Sequence, residues 1–171
     1  ENKGNIVLYM NDSVYYPRTI GMQLESLFSA SAIKGELVNS GKITIDTAPG
    51  ANSYSSHLAT AILINNGTFS PTADVKIGNI DLKSNSGYGL EIASGSALLT
   101  DVNIDGAGGI INITGTYSTG TIISSPVASA SVNSQIENIK NLNIKLDSQY
   151  STAILLNLPG TTRNSVIDIG R

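Results

Sequence analysis

Residues 85–115 read NSGYGLEIASGSALLTDVNIDGAGGIINITG. Aliphatic-x-aliphatic triplets recur in it: LEI at 90–92, VNI at 102–104 and INI at 111–113. Alternation within each triplet puts both aliphatics on one face of a short strand. Glycine, serine and asparagine between the triplets supply turns. No catalytic group stands out. The glycines read as corners, and the stretch reads as more than one complete turn of a repeating scaffold with no inserted loop.

Working outward, two families of segments emerge. IGNIDL at 77–82, LTDVNI at 99–104 and IKNLNI at 139–144 align without gaps, with GKITI at 41–45, VIDI at 166–169 and NIVL at 5–8 as looser members. Between them lie GMQL at 21–24, AILI at 61–64, GLEI at 89–92, IINI at 110–113 and AILL at 153–156. The two families alternate along the chain. Within a family the members recur at short steps: Ile80 to Val102, Leu90 to Ile111 and Leu142 to Ile167. This predicts a period of roughly 21–25 residues, with loops inserted at 48–57 and 114–135. Strong hairpin turns are scarce, and each segment resembles the next but one rather than its neighbour. That pattern predicts a chain that returns to stack on its own previous turn, an all-β right-handed parallel β-helix. About five to seven irregular coils would make a rod of roughly 25–35 Å. Asn79, Asp101 and Asn141 would stack at one corner, each bonding turn backbone and its neighbour. GMQLESLFSASAIKG at 21–35 has Leu24, Leu27 and Phe28 at helical spacing, so a short helix or a third-face strand are both open there.

Composition agrees with a strand-rich single domain. The chain has 171 residues, 40% hydrophobic and only 13% charged, with Gly, Ser, Thr and Asn in place of Lys and Glu. Its net charge of −3 and lack of a basic patch argue against nucleic acid as a partner. Without cysteine there is neither a disulfide nor a thiolate metal site. No stretch is long enough to span a membrane, so no membrane insertion by this segment is expected. The chain starts at Glu1 without a signal peptide and stops in SVIDIGR, inside a strand pattern, as expected of an excised piece.

The phrases ENKGNIVLY at 1–9, ELVNSGKITID at 36–46 and ATAILINNGTF at 59–69 resemble the passenger domains of Gram-negative autotransporters, including the large fusobacterial-type ones. The resemblance covers most of the chain as a pattern of N-x-G-x-I-x-I units. It implies a β-helix on the bacterial cell surface, often adhesive and a virulence factor, anchored in the outer membrane through a C-terminal barrel that this chain lacks. Residues 1–171 would then be one β-helical segment of a longer passenger.

Chemistry-bearing residues are few. His57 is the single histidine, beside Ser55 and Ser56, and reads as a surface-loop residue because sequence neighbours do not make a triad. Asp101 and Asp105 flank VNI and would share a face. With Asp81 and Asp168 they suggest the acidic strip of a polysaccharide lyase or glycoside hydrolase, yet no Lys or Arg falls in that stretch. DGAGG at 105–109 lacks the Lys-Ser/Thr of a phosphate loop and the aspartate array of a calcium repeat, so it reads as a turn. The sequons at Asn11, Asn66 and Asn112 are of the kind that arise by chance in an Asn- and Thr-rich chain. Tyr15, Tyr16, Tyr54, Tyr88, Tyr117 and Tyr150 fall mostly in polar loops or turns, and exposed tyrosine favours binding surfaces. The expected binding-loop residues are Tyr54, His57 and Tyr117, in loops at 48–57 and 115–133. The expectation is a non-catalytic stalk without cofactor. Its partners would be a protein or glycan on a host cell or neighbouring bacterium, or a second copy of the chain.

Overall fold

The computed structural model describes residues 1–10, 19–25, 35–49, 59–66, 73–94, 102–124 and 139–157. Among these there are fourteen strands and no helix. In order they are β1 (Asn5–Met10), β2 (Thr19–Glu25), β3 (Gly35–Val38), β4 (Lys42–Thr47), β5 (Ala59–Asn66), β6 (Ala73–Lys76) and β7 (Asn79–Leu82). Then follow β8 (Gly87–Ser94), β9 (Val102–Asp105), β10 (Ile111–Ile113), β11 (Thr119–Ser124), β12 (Ile139–Lys140), β13 (Ile144–Leu146) and β14 (Thr152–Asn157).

Every third strand joins the same sheet. The first sheet runs β1-β4-β7-β10-β13, the second β2-β5-β8-β11-β14 and the third β3-β6-β9-β12. All pairings are parallel. The chain thus visits three sheets in turn and pairs each strand with its equivalent one cycle later. The repeat is longer than the period expected from the triplets. Ile6 pairs with Ile43 and Ile43 with Ile80, steps of 37; Ile80 pairs with Ile111 and Ile111 with Ile144, steps of 31 and 33.

This corrects the two-family alignment. LTDVNI does not stack on IGNIDL: β9 belongs to the third sheet and β7 to the first. IINI belongs to the first sheet, and the missing member of the second is Gly120–Ile123, inside the stretch expected to be an inserted loop. In 21–35 both described ends are strand, β2 and β3; residues 26–34 lie outside the described residues.

The core is a set of aliphatic columns between the sheets. The first sheet contributes Ile43, Ile80 and Ile111, and beside them Ile45, Leu82 and Ile113, all 0–2% exposed. The third sheet contributes Leu37, Val75, Ile104 and Ile139. In the second sheet Ala61 and Ile62 both join the core although they are adjacent. The strand therefore bends at Ala61, and residues at this position drop out of the pairing register. Its column reads Gly21, Ala61, Gly89, Gly120, Ala153. A Cβ on Gly89 would lie 2.6 Å from the Gly120 carbonyl oxygen, so only small residues are compatible with this bend.

On the outer face of the first sheet, Lys42 pairs with Asp81 of the next strand, and Lys83 with Asp46 at 4.0 Å. The first pair runs diagonally from β4 to β7, and the second lies straight across just past the end of β7, since Asp46 and Lys83 keep the 37-residue offset of the register.

Candidate functional site

Two corners flank the first sheet. The corner after it, leading to the second sheet, is made by Lys83–Ser86, Thr114–Ser118 and Asp147–Ser151 in successive cycles. Since Tyr88, Thr119 and Thr152 are in register, Ser86, Tyr117 and Tyr150 occupy one column. All three have left-handed backbone, with φ of 62°, 57° and 56°. A non-glycine residue there costs about 1 kcal/mol or more, so the surroundings must enforce it.

A serine ladder inside the corner does so. The Ser118 hydroxyl donates to the Ser84 carbonyl at 3.0 Å and accepts the Gly87 N–H at 3.1 Å. One cycle on, the Ser151 hydroxyl donates to the Gly115 carbonyl at 2.9 Å and accepts the Ser118 N–H at 3.1 Å. Each hydroxyl ties its own corner to the preceding one. Outside, Asn85 Oδ1 accepts from the Thr116 N–H at 3.1 Å and from its hydroxyl at 2.6 Å. The corner is thus fixed on both sides, and the aromatic rings stand on a rigid base.

The rings of Tyr117 and Tyr150 stack on each other, centroids 5.3 Å apart and planes 11° apart. They remain 57% and 75% exposed. Such a pair contributes about 0.5–1.5 kcal/mol beyond its buried area, comparable to the backbone cost. It also offers an amphipathic, pre-ordered surface of the type that anchors binding interfaces.

Tyr117 is the expected binding residue that falls in the described structure, and it stands on a tight corner rather than a long loop. Tyr54 and His57 lie outside the described residues. Tyr150, read with the other tyrosines of polar turns but not among the expected binding-loop residues, is the partner of Tyr117. Its signal is the repeated Tyr-Ser-Thr at 117–119 and 150–152, which marks the tyrosine, the ladder serine and the paired threonine together.

The second corner precedes the first sheet. There the expected column of Asn79, Asp101 and Asn141 does not form. Asn79 aligns with Lys42 and Ile80 with Ile111, whereas Lys140 aligns with Asp105, so Asn141 follows Gly106 in a different column. Asp101 lies outside the described residues. Residues read in one phrase, IKNLNI, straddle two sheets, and that displaces the alignment. The asparagines that do stack are Asn2 and Asn39: Asn2 Nδ2 donates to Asn39 Oδ1 at 2.8 Å, and Asn39 Nδ2 donates to the Ile77 carbonyl at 2.8 Å. Asn141 has left-handed backbone, φ 55°, and its Nδ2 donates to Asp105 Oδ1 at 2.8 Å.

Asp105 opens the turn that DGAGG was expected to make. Its carboxylate also accepts the Ala107 N–H at 3.0 Å, and the Gly109 N–H closes on the Gly106 carbonyl at 3.1 Å. The hydrogen bonds from Asn141 and Ala107, helped by the charges of Lys140 and Lys76, hold the Asp105 carboxyl below its ordinary range. Asp81 and Asp105 stand on different sheets, so they form no common acidic strip; Asp101 and Asp168 lie outside the described residues. Among the described residues no group of three His, Cys, Asp or Glu is placed to hold a metal ion. Comparison with protein-family models, with curated proteins and with solved structures finds no match to this chain.

Proposed function

We propose that the three parallel sheets are the faces of a right-handed parallel β-helix, each cycle of three strands forming one coil. In this reading the chain is a non-catalytic segment of an exported autotransporter-type adhesin, displayed on a bacterial surface as a stalk. The observation that carries the scaffold reading is the strand order: each sheet takes every third strand, all parallel, with register partners in the first sheet 31 to 37 positions apart. A stack of this kind exposes one corner column per connection, which suits repeated display more than a single enclosed active site. Support for the export class is the resemblance of residues 1–9, 36–46 and 59–69 to autotransporter passengers. The adhesive role rests on the Tyr117–Tyr150 pair, which offers a rigid aromatic contact for a host-cell or neighbouring-cell surface partner.

Two experiments test this. Truncation after residue 138 should shorten the particle in small-angle scattering while the remaining coils keep their β circular dichroism; global unfolding would sink the solenoid reading. Antibody against this segment should label intact cells carrying the full-length protein, and the Tyr117→Ala/Tyr150→Ala double variant should lose most adhesion. Labelling only after permeabilisation, or adhesion unchanged in the double variant, would refute the display or the adhesive reading respectively.

A further inference from the structure

The corner before the first sheet is uneven, and its unevenness makes a site. Two residues, Ile77 and Gly78, join β6 to β7, and three, Asn141–Asn143, join β12 to β13. Five, Gly106–Ile110, join β9 to β10. The longer connection turns outward at Gly108, φ 76°, where a Cβ would meet nothing within 4 Å. A shallow hollow of about 560 Å³ results, lined by residues 106–110 with Asn79, Asn141 and Asn143. That volume lies within the range of small-ligand sites, roughly 300–1,000 Å³.

Its chemistry is specific. Asn79, Ile110 and Asn143 form one column, because the Ile80 N–H donates to the Ile110 carbonyl and the Ile111 N–H to the Asn143 carbonyl, both at 2.9 Å. The two exposed carboxamides stand two strand spacings apart, about 9–10 Å, with half-buried Ile110 between them. Asn141 is already engaged with Asp105, and among the described residues no charged side chain lines the hollow. An apolar floor between two groups that each donate and accept hydrogen bonds matches a ring with C–H faces and equatorial hydroxyls. A phosphate would want a cation here, and a metal ion would want carboxylates.

We propose that this hollow is a subsite for a neutral pyranose sugar, held by the Asn79 and Asn143 carboxamides over Ile110. The inference deepens the adhesive reading by naming a ligand class, but it uses a different corner from the tyrosine pair. The test is a titration of the ¹⁵N-labelled chain, followed by amide chemical shifts, with methyl glycosides of glucose, galactose, mannose and N-acetylglucosamine. Calcium chloride and inorganic phosphate serve as separate probes. At least one sugar should move the amides of 106–110 and the side-chain amides of Asn79 and Asn143. Asn79→Ala and Asn143→Ala should each weaken that binding about threefold to tenfold without changing the remaining spectrum, since neither carboxamide supports another of the described residues. The proposal is overturned if no sugar shifts this corner, if sugars act only at the tyrosine corner, or if only calcium or phosphate moves it. Adhesion of cells that persists in the face of such a result would leave the adhesive reading standing without this site.

Discussion

Thr121 should be a net liability to the fold, and replacing it with valine should stabilise the protein. It occupies the core column of the second sheet between Leu90 and Ile154, fully buried, and its hydroxyl has no hydrogen-bond partner among the described residues. An orphaned buried hydroxyl costs about 1–3 kcal/mol in lost hydration. Valine keeps the β-branched shape, which suits the strand, and replaces the hydroxyl with a methyl that belongs in an aliphatic column. Taking the lower end, because the unfolded chain also prefers to bury the added methyl, Thr121→Val should add about 1 kcal/mol. For a chain of this length that is a rise of about 2–4 °C in Tm. Equilibrium urea unfolding followed by circular dichroism should show a higher midpoint at unchanged slope. The reverse change in the same column, Leu90→Thr, removes a fully buried side chain and adds a second orphan, so it should cost about 2–5 kcal/mol. A Thr121→Val protein that is equal to or less stable than the parent would refute the reasoning: the hydroxyl would then have a partner in solution, and this column would not be dry.

Ser118→Ala should destabilise by about 1–3 kcal/mol, because it strips the Gly87 N–H and the Ser84 carbonyl of their shared partner inside the corner; Gly87 amide exchange measured by hydrogen–deuterium NMR should accelerate more than that of core strands. Gly78→Ala should be more damaging than a surface substitution of the same kind, since a Cβ would stand 1.9 Å from the Asn39 carbonyl oxygen on a backbone with φ 62°; thermal unfolding should show a Tm loss of at least about 4 °C, while Gly108→Ala, with open space around it, loses less. Asp105 should titrate below the usual aspartate range, because its native carboxylate is held by Asn141 and Ala107. The stability it contributes is complete above the unfolded-state value and is lost as pH falls through the lowered native value; the Ala107 amide shift should follow that low midpoint, and Asp105→Asn should abolish the step.

The class of fold was legible in the sequence because its signal is simple. Aliphatic triplets separated by glycine and asparagine, with weak hairpin signals, lead to stacked parallel strands, and three all-parallel sheets are present. The number of strands per cycle was not legible by triplet resemblance, since the inward aliphatics of all three sheets look alike. The third sheet was hardest to see: β3 and β6, GELV and ADVK, each place a single described aliphatic, Leu37 or Val75, in the core. β11 was hidden for a different reason. TGTIIS carries Thr121 where its column wants an aliphatic, so a core strand read as part of a polar loop. The tyrosine corner was half legible. Tyr117 and Tyr150 both stood out as tyrosines of polar turns, but that they form one stacked pair, a full cycle apart along the chain, follows from the register.

Backbone clearance narrows that register where hydrophobicity does not. Sliding LTDVNI beneath IGNIDL, the shorter alignment, keeps Val102 under Ile80 and Ile104 under Leu82, so the aliphatic columns survive the error. It also brings Thr100 beneath Gly78. In the structure that place belongs to Gly109, where any Cβ would lie 2.1 Å from the Gly78 carbonyl oxygen. Gly41 occupies the equivalent place one cycle before Gly78, with the same clearance problem: its Cβ would lie 1.9 Å from the Gly4 carbonyl oxygen. Glycine fills this column in GKITI, GNIDL and GIINI before Leu142 takes it in the next cycle; in the cycles that hold glycine the slipped strand has no room, and the Lys42–Asp81 and Lys83–Asp46 pairs favour the same alignment from the solvent side. Aliphatic alternation is permissive, and specificity comes from the few positions where a side chain has no room. A Gly109→Val substitution should thus disturb the first-sheet register, seen as lost amide protection in β7 and β10 with the second sheet still protected, whereas loss of protection spread evenly over all three sheets would show that this glycine guards stability without setting register.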